Sequence, residues 1–137
     1  MPAELSSAPL SGVVRNAPNY ILRAEGLALL AAATAAYAQT GLGWGLFAIL
    51  FLAPDVFMLG YLRGPRLGSW IYNLGHSTMV PFMLIAIGFA FDVPVSMAVG
   101  LIWMAHVGFD RAVGYGLKYS DDFKHTHLGT PFAGSRS

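Results

Sequence analysis

Uncharged stretches dominate the pattern of polar and apolar positions along this chain. Three of them cover residues 26–54, 67–91 and 93–109, which are 29, 25 and 17 residues long. A helix that crosses a bilayer needs roughly 20 residues, at about 1.5 Å of rise per residue. The first stretch is too long for one such helix and too short for two, and Gln39–Gly43 in its middle is typical of a tight turn. The pattern therefore predicts two helices joined by this turn, each extended into its charged flank.

The predicted helices cover residues 20–40, 42–62, 67–91 and 94–117. They predict an all-α fold, a polytopic transmembrane four-helix bundle made of two antiparallel hairpins. In the loop before the fourth helix, Asp92 is expected to cap that helix and Pro94 to lie in its first turn. Residues 1–19 and 119–137 are predicted to be flexible cytoplasmic tails. The first of these tails has no apolar run of the length that a cleaved signal peptide requires.

The composition supports a membrane protein and excludes some functions. Hydrophobic residues make up 55% of the chain and charged residues 11%, whereas soluble domains carry about 25% charged residues. The mean hydropathy is +0.57 and there is no cysteine, as expected of a polytopic membrane protein without disulfides. A net charge of +1 offers no basic field, which excludes nucleic acid as a partner. The expected partner is the lipid bilayer.

The basic residues predict the orientation of the bundle. All eight lie on the side that holds both termini and the loop between the second and third helices. They are Arg15, Arg23, Arg63, Arg66, Arg111, Lys118, Lys124 and Arg136. The opposite loops, around Gly41 and Asp92, contain no Lys or Arg. Because short loops rich in Lys and Arg stay in the cytoplasm, both termini and the middle loop are predicted to be cytoplasmic.

Each predicted helix also carries polar side chains that a bilayer disfavours. An ionisable residue at the centre of a membrane helix costs about 2.5–3.5 kcal/mol, so it indicates an interior partner or a function. The polar residues in the cytoplasmic halves of the helices include Glu25, Asp55, Asn73, His76, His106, Asp110 and Arg111. Their similar depth predicts a buried site that opens to the cytoplasm.

The imidazoles and carboxylates of this set suit a divalent metal such as Zn, Mn or Fe. The metal ligands would be Asp55, His76, His106 and Asp110. Glu25 and Arg111 are expected to surround them. The site could instead hold a small polar substrate, and the four-residue spacing of His106 and Asp110 is also that of an ordinary intrahelical hydrogen bond.

Three functions follow from such a site. A bound metal could activate water to hydrolyse a small or lipid-linked substrate. Without a metal, the carboxylates could carry protons in a proton-coupled small transporter. As a third function, the chain could be a non-catalytic accessory or scaffold subunit, in which polar residues only set the register of the helices. The small size favours this last role, and a homo-oligomer or a larger membrane complex could supply what one chain lacks.

Several motifs resemble those of small bacterial membrane proteins grouped as domain of unknown function 4260. They are Leu22–Gly26, Phe51–Asp55, Gly60–Tyr61, Tyr72–Ser77, His106–Arg111, Gly114–Tyr119 and Thr126–Gly129. The resemblance covers about residues 20–129. It implies an integral membrane protein and carries no activity with it. Together with the basic loops, it predicts a multi-pass protein of the bacterial cytoplasmic (inner) membrane.

Overall fold

The structure, a computed structural model, describes residues 16–115 and residue 117. This part of the chain is helical with short turns and contains no strand, which confirms the all-α prediction. The helices are α1 (Asn16–Ala38), α2 (Trp44–Phe51), a 3₁₀ helix (Ala53–Arg63), α3 (Pro65–His76), α4 (Met79–Ala90) and α5 (Pro94–Val113). The first helix begins four residues earlier than predicted. Residues 1–15 and 118–137, which hold most of the predicted tails, lie outside the described residues.

Two of the four predicted helices are interrupted. Residues 42–62 contain α2 followed by the 3₁₀ helix, and residues 67–91 contain α3 followed by α4. Pro54 lies in the first turn of the 3₁₀ helix, and Pro81 lies in the first turn of α4. A proline is tolerated in a first turn because the N–H that it lacks has no partner within the helix there. Each proline therefore starts a new helix instead of kinking a continuous one.

The ends of α5 also differ from the prediction. The helix stops at Val113, because Gly114 adopts a left-handed conformation with a φ of 98°. The N–H of Gly114 donates to the Arg111 carbonyl at 3.2 Å and the N–H of Tyr115 donates to the Asp110 carbonyl at 2.7 Å. This is the Schellman motif that ends many helices. At the other end Asp92 does not act as the cap, since Val93 is the N-cap and no side chain bonds to it.

The most buried helix is α5, which contacts α1, α2, α4 and the 3₁₀ helix. Ile102 and Ala105 of α5 are fully buried, and so is Tyr37 of α1. Tyr37 packs with Leu101 and Ile102 in the core, where its hydroxyl donates to the Gly43 carbonyl at 2.8 Å. Burial on several sides explains how α5 can carry polar residues within an otherwise apolar assembly.

Two glycines allow α1 and α5 to approach closely. A Cβ on Gly26 would lie 2.5 Å from the Cβ of Arg111, and a Cβ on Gly108 would lie 2.6 Å from the backbone nitrogen of Leu30. Both distances are shorter than any normal contact, so only glycine fits at this crossing. Close to it, Arg23 Nε donates to the Ala112 carbonyl at 3.0 Å, which ties α1 to the last turn of α5.

Within the described part of the chain, three helical stretches are long and apolar enough to cross a membrane. They are Ala17–Ala38, Trp44–Arg63 and Pro65–Ala90. Over an 18-residue segment of each stretch, no more than 22% of the residues are buried, so most of their apolar side chains face outward. The fourth predicted span, α5, is not among them, since His106, Asp110 and Arg111 lower its hydropathy.

Candidate metal centre

Helix ends position the first two residues of the site. The break after α2 places Asp55 in the first turn of the 3₁₀ helix, directly after Pro54. The break after α3 makes His76 the last residue of that helix, because Ser77 is extended with a ψ of 155°. Here the Nε2 atom of His76 lies 3.4 Å from Oδ1 of Asp55. The interruptions that the sequence pattern did not predict therefore occur next to the candidate ligands.

The other two residues come from one face of α5. His106 and Asp110 are one helical turn apart, and His106 Nε2 lies 3.1 Å from Asp110 Oδ2. The interior face that carries them meets the ends of the two interrupted spans. His106 Nε2 lies 3.2 Å from His76 Nε2 and 3.4 Å from Asp55 Oδ1.

These four residues form a compact group, the His/Asp cluster, made of Asp55, His76, His106 and Asp110. Each offers one ligand atom, and all four atoms lie within 4.8 Å of one another. Five of their six separations lie between 3.1 and 3.5 Å. Ligands about 2.0–2.1 Å from a tetrahedral metal are about 3.3 Å apart, so the spacing fits a common cation.

The hydrogen bond of one histidine orients its free nitrogen. His76 Nδ1 lies 3.0 Å from the Tyr72 carbonyl. A carbonyl can only accept, so Nδ1 carries the proton, and in the neutral ring Nε2 presents a lone pair to the cluster. Metal-ligating histidines are held in this way, with the second nitrogen bonded to a backbone carbonyl or a carboxylate. His106 Nδ1 is buried near the backbone of Phe51 without completing a hydrogen bond within the described chain.

No basic side chain in the described range forms an ion pair with either carboxylate of the cluster. Among the described residues, the ion-pair partners of Asp55 and Asp110 are the two imidazoles. Two carboxylates beside a nitrogen lone pair repel one another unless protons or a cation lie between them. The cluster therefore has the negative charge and the lone pairs that a divalent cation requires.

The last carbonyls of α3 are held by two side chains of α5. Trp103 Nε1 donates to the Gly75 carbonyl at 2.6 Å, and Arg111 Nη2 donates to the His76 carbonyl at 3.3 Å. The final carbonyls of a helix lack partners within the helix, so these bonds satisfy groups that would otherwise be unpaired. They also fix the helix end that carries His76 against the helix that carries the other histidine.

Aromatic rings cover the two imidazoles. Tyr72 stacks on His76 with ring centroids 3.8 Å apart and planes 9° from parallel. Phe51 meets His106 edge to face, at a centroid distance of 5.3 Å. These rings and the Trp103 bond were not assigned to the site from the sequence. The only available signal was the one-turn spacing of Tyr72 and His76, which places both on the same helix face.

The remaining predicted site residues occupy other positions. Glu25 is exposed on α1 and forms no ion pair within the described chain. Asn73 is half-buried on α3, one turn before His76. Arg111 is half-buried, and its Nη2 donates to the His76 carbonyl. The structure thus brings the four predicted metal ligands together.

The cluster is open on one side. The imidazole side chains are only 3–4% exposed and that of Asp110 is 13% exposed, whereas that of Asp55 is 45% exposed. A ligand could therefore approach the cluster past Asp55, while the histidines stay enclosed.

Comparison with known proteins identifies a family and no individual relative. A family model described as a domain of unknown function, DUF4260, matches residues 19–130. The match confirms the resemblance seen in the sequence motifs and includes the whole His/Asp cluster. No curated protein and no solved structure matches the chain.

Proposed function

Because this chain belongs to the DUF4260 family, whose description assigns no activity, we propose a function from its residues: an integral membrane protein that binds one divalent metal ion. The His/Asp cluster supplies the ligands. Its four ligand atoms come from three separate helices, yet five of their six separations lie within 0.4 Å of each other, from 3.1 to 3.5 Å. This convergence carries the proposal.

The donor set favours particular metals. Two imidazole nitrogens and two carboxylate oxygens suit Zn, Mn or Fe. They suit Mg and Ca less well, because these two metals prefer oxygen ligands alone. Structural zinc sites have four protein ligands and are closed, whereas catalytic sites keep a position open. The exposure of Asp55 supports an accessible site. A metal held there would supply a Lewis acid that activates water or polarises a substrate oxygen.

Metal analysis of the protein purified in mild detergent tests this function. We expect close to one Zn, Mn or Fe per chain in the wild type after equilibration with each metal and desalting. Asp55→Asn and His76→Ala should each lower the metal affinity by roughly 10- to 100-fold or more. Loss of a residue that only hydrogen-bonds to a metal ligand already has an effect of this size. Asp92→Asn is the matched control, because Asp92 is an exposed carboxylate in the loop before α5.

The comparison is valid only for folded protein, so each variant is checked for helix content by circular dichroism and for a single peak in gel filtration. A wild type that binds no more metal than His76→Ala would contradict the proposal. It would favour instead a scaffold in which the polar residues only hold the helices together.

A further inference from the structure

An apolar groove lies between α1 and α2 and is distinct from the His/Asp cluster. It has a volume of about 910 Å³, which lies in the range of small-molecule sites. On α1 the wall repeats at helical spacing, from Leu27 through Ala31 and Ala35 to Ala38. The small alanines on this face leave the space, while Trp44 and Phe47 of α2 form the opposite wall.

The groove ends next to the cluster. Phe51 and Leu52 line its inner end, and Asp55 follows three residues later. The Phe51 ring that lines the groove also packs edge to face on His106, at a centroid distance of 5.3 Å. A single aromatic side chain thus forms a wall common to the groove and the cluster.

We propose that this groove binds the alkyl chain of a membrane lipid and brings one end of that chain to the metal centre. The second part of this proposal, that the chain reaches the metal centre, rests on the function proposed above. It names lipids as the substrate class of that centre. The wall is apolar except for Thr34, and both helices belong to stretches that can cross a membrane. From Leu27 to Ala38 the groove is about 16 Å long, at 1.5 Å per residue. The hydrocarbon core of a bilayer is roughly 30 Å thick, so the groove is about as long as one leaflet is deep. An alkyl chain of one leaflet would therefore fit along it.

Photocrosslinking with a diazirine-bearing fatty acid tests the groove. The probe is added to the detergent-purified full chain, and the labelled peptides are mapped by mass spectrometry. We expect labelling to concentrate on residues 27–38 and 44–52, with Phe51 or Leu52 among the labelled positions. Ala35→Trp should fill the groove and reduce this labelling at least fivefold. Ala36→Trp is the matched control, because Ala36 is also exposed on α1 but does not line the groove.

Two results would overturn the proposal. One is labelling spread evenly over all exposed apolar helices and insensitive to Ala35→Trp. The other is a change in oligomeric mass with Ala35→Trp and no labelling of the groove, which would assign the groove to a second copy of the chain. Metal content is measured on the same samples. If the protein binds metal but the groove is not labelled, only the lipid proposal is wrong. If the groove is labelled but the protein binds no metal, the proposed metal function is wrong and the lipid site remains supported.

Discussion

His76 is held by contacts on every part of the residue. Its Nδ1 donates to the Tyr72 carbonyl at 3.0 Å, its ring stacks on the Tyr72 ring, and its own carbonyl accepts from Arg111 at 3.3 Å. A side chain fixed in this way loses little conformational freedom when it binds a metal ion. Metal binding is therefore favoured at such a preorganised site. Its Nε2 is then the one polar atom left to face the cluster.

Removal of the Trp103 hydrogen bond should loosen this arrangement. In Trp103→Phe the buried Gly75 carbonyl loses the N–H that donates at 2.6 Å, which costs about 1–3 kcal/mol. Trp103 also packs on Phe57, at a centroid distance of 5.8 Å, and we expect a phenyl ring to keep part of this contact. We expect the protein to unfold a few degrees lower in detergent and to bind metal less tightly, because the end of α3 shifts.

Trp70→Phe is the control for that variant, since Trp70 on α3 undergoes the same substitution but is 74% exposed. Thermal unfolding and metal affinity are measured for both. If Trp103→Phe and Trp70→Phe behave alike, the bond to Gly75 does not position His76.

Contacts between helices decide how the four ligand atoms meet. The crossing of α1 and α5 depends on Gly26 and Gly108, and Gly108 lies between His106 and Asp110 on α5. A side chain at Gly108 would therefore push α1 away at the level of the cluster. We therefore expect stability and metal binding to be coupled at this position.

Gly108→Val tests that coupling. Overpacking of a tight contact costs roughly 1–3 kcal/mol, so we expect a lower unfolding temperature together with weaker metal binding. Gly45→Ala on α2 is the control, because a Cβ there meets nothing within 4 Å, and alanine is the better helix former. Metal affinity that stays at the wild-type level in a destabilised Gly108→Val would show that the α1–α5 crossing does not set the cluster geometry.

The element scale also shows how far the sequence could predict this structure. Uncharged runs and turn residues predicted where helices lie, and the spacing of His106 and Asp110 predicted their common face. The breaks next to Asp55 and His76 were not predicted, although Pro54 and Pro81 lie close to them, because a proline can kink a continuous helix as well as start a new one. The four residues of the His/Asp cluster were predicted because ionisable residues stand out among apolar ones. Glu25 stands out equally, but it is exposed on α1. The composition of a helix does not show which of its sides will be covered by other helices.

At the scale of the whole molecule, the helix that carries His106 and Asp110 is the most enclosed. Three stretches with outward apolar faces surround α5, whose buried residues include His106. A polar residue is costly in contact with lipid and less costly inside a bundle, so this arrangement suits a membrane protein. It also explains why hydropathy alone undervalues α5 as a spanning helix, although its 20 residues are long enough to cross.

The orientation of the whole molecule is open to a direct test, because the chain contains no cysteine and single cysteines can be introduced. We expect Leu42→Cys and Val93→Cys, in the two loops without Lys or Arg, to react with a membrane-impermeant maleimide in intact spheroplasts of a bacterial host. Arg66→Cys, in the first turn of α3, should react only after the membrane is permeabilised, since segments rich in Lys and Arg remain cytoplasmic. All three positions are exposed, so differences in labelling report the side of the membrane and not burial. The opposite labelling pattern would place both termini outside, and labelling of all three in intact spheroplasts would contradict a spanning bundle.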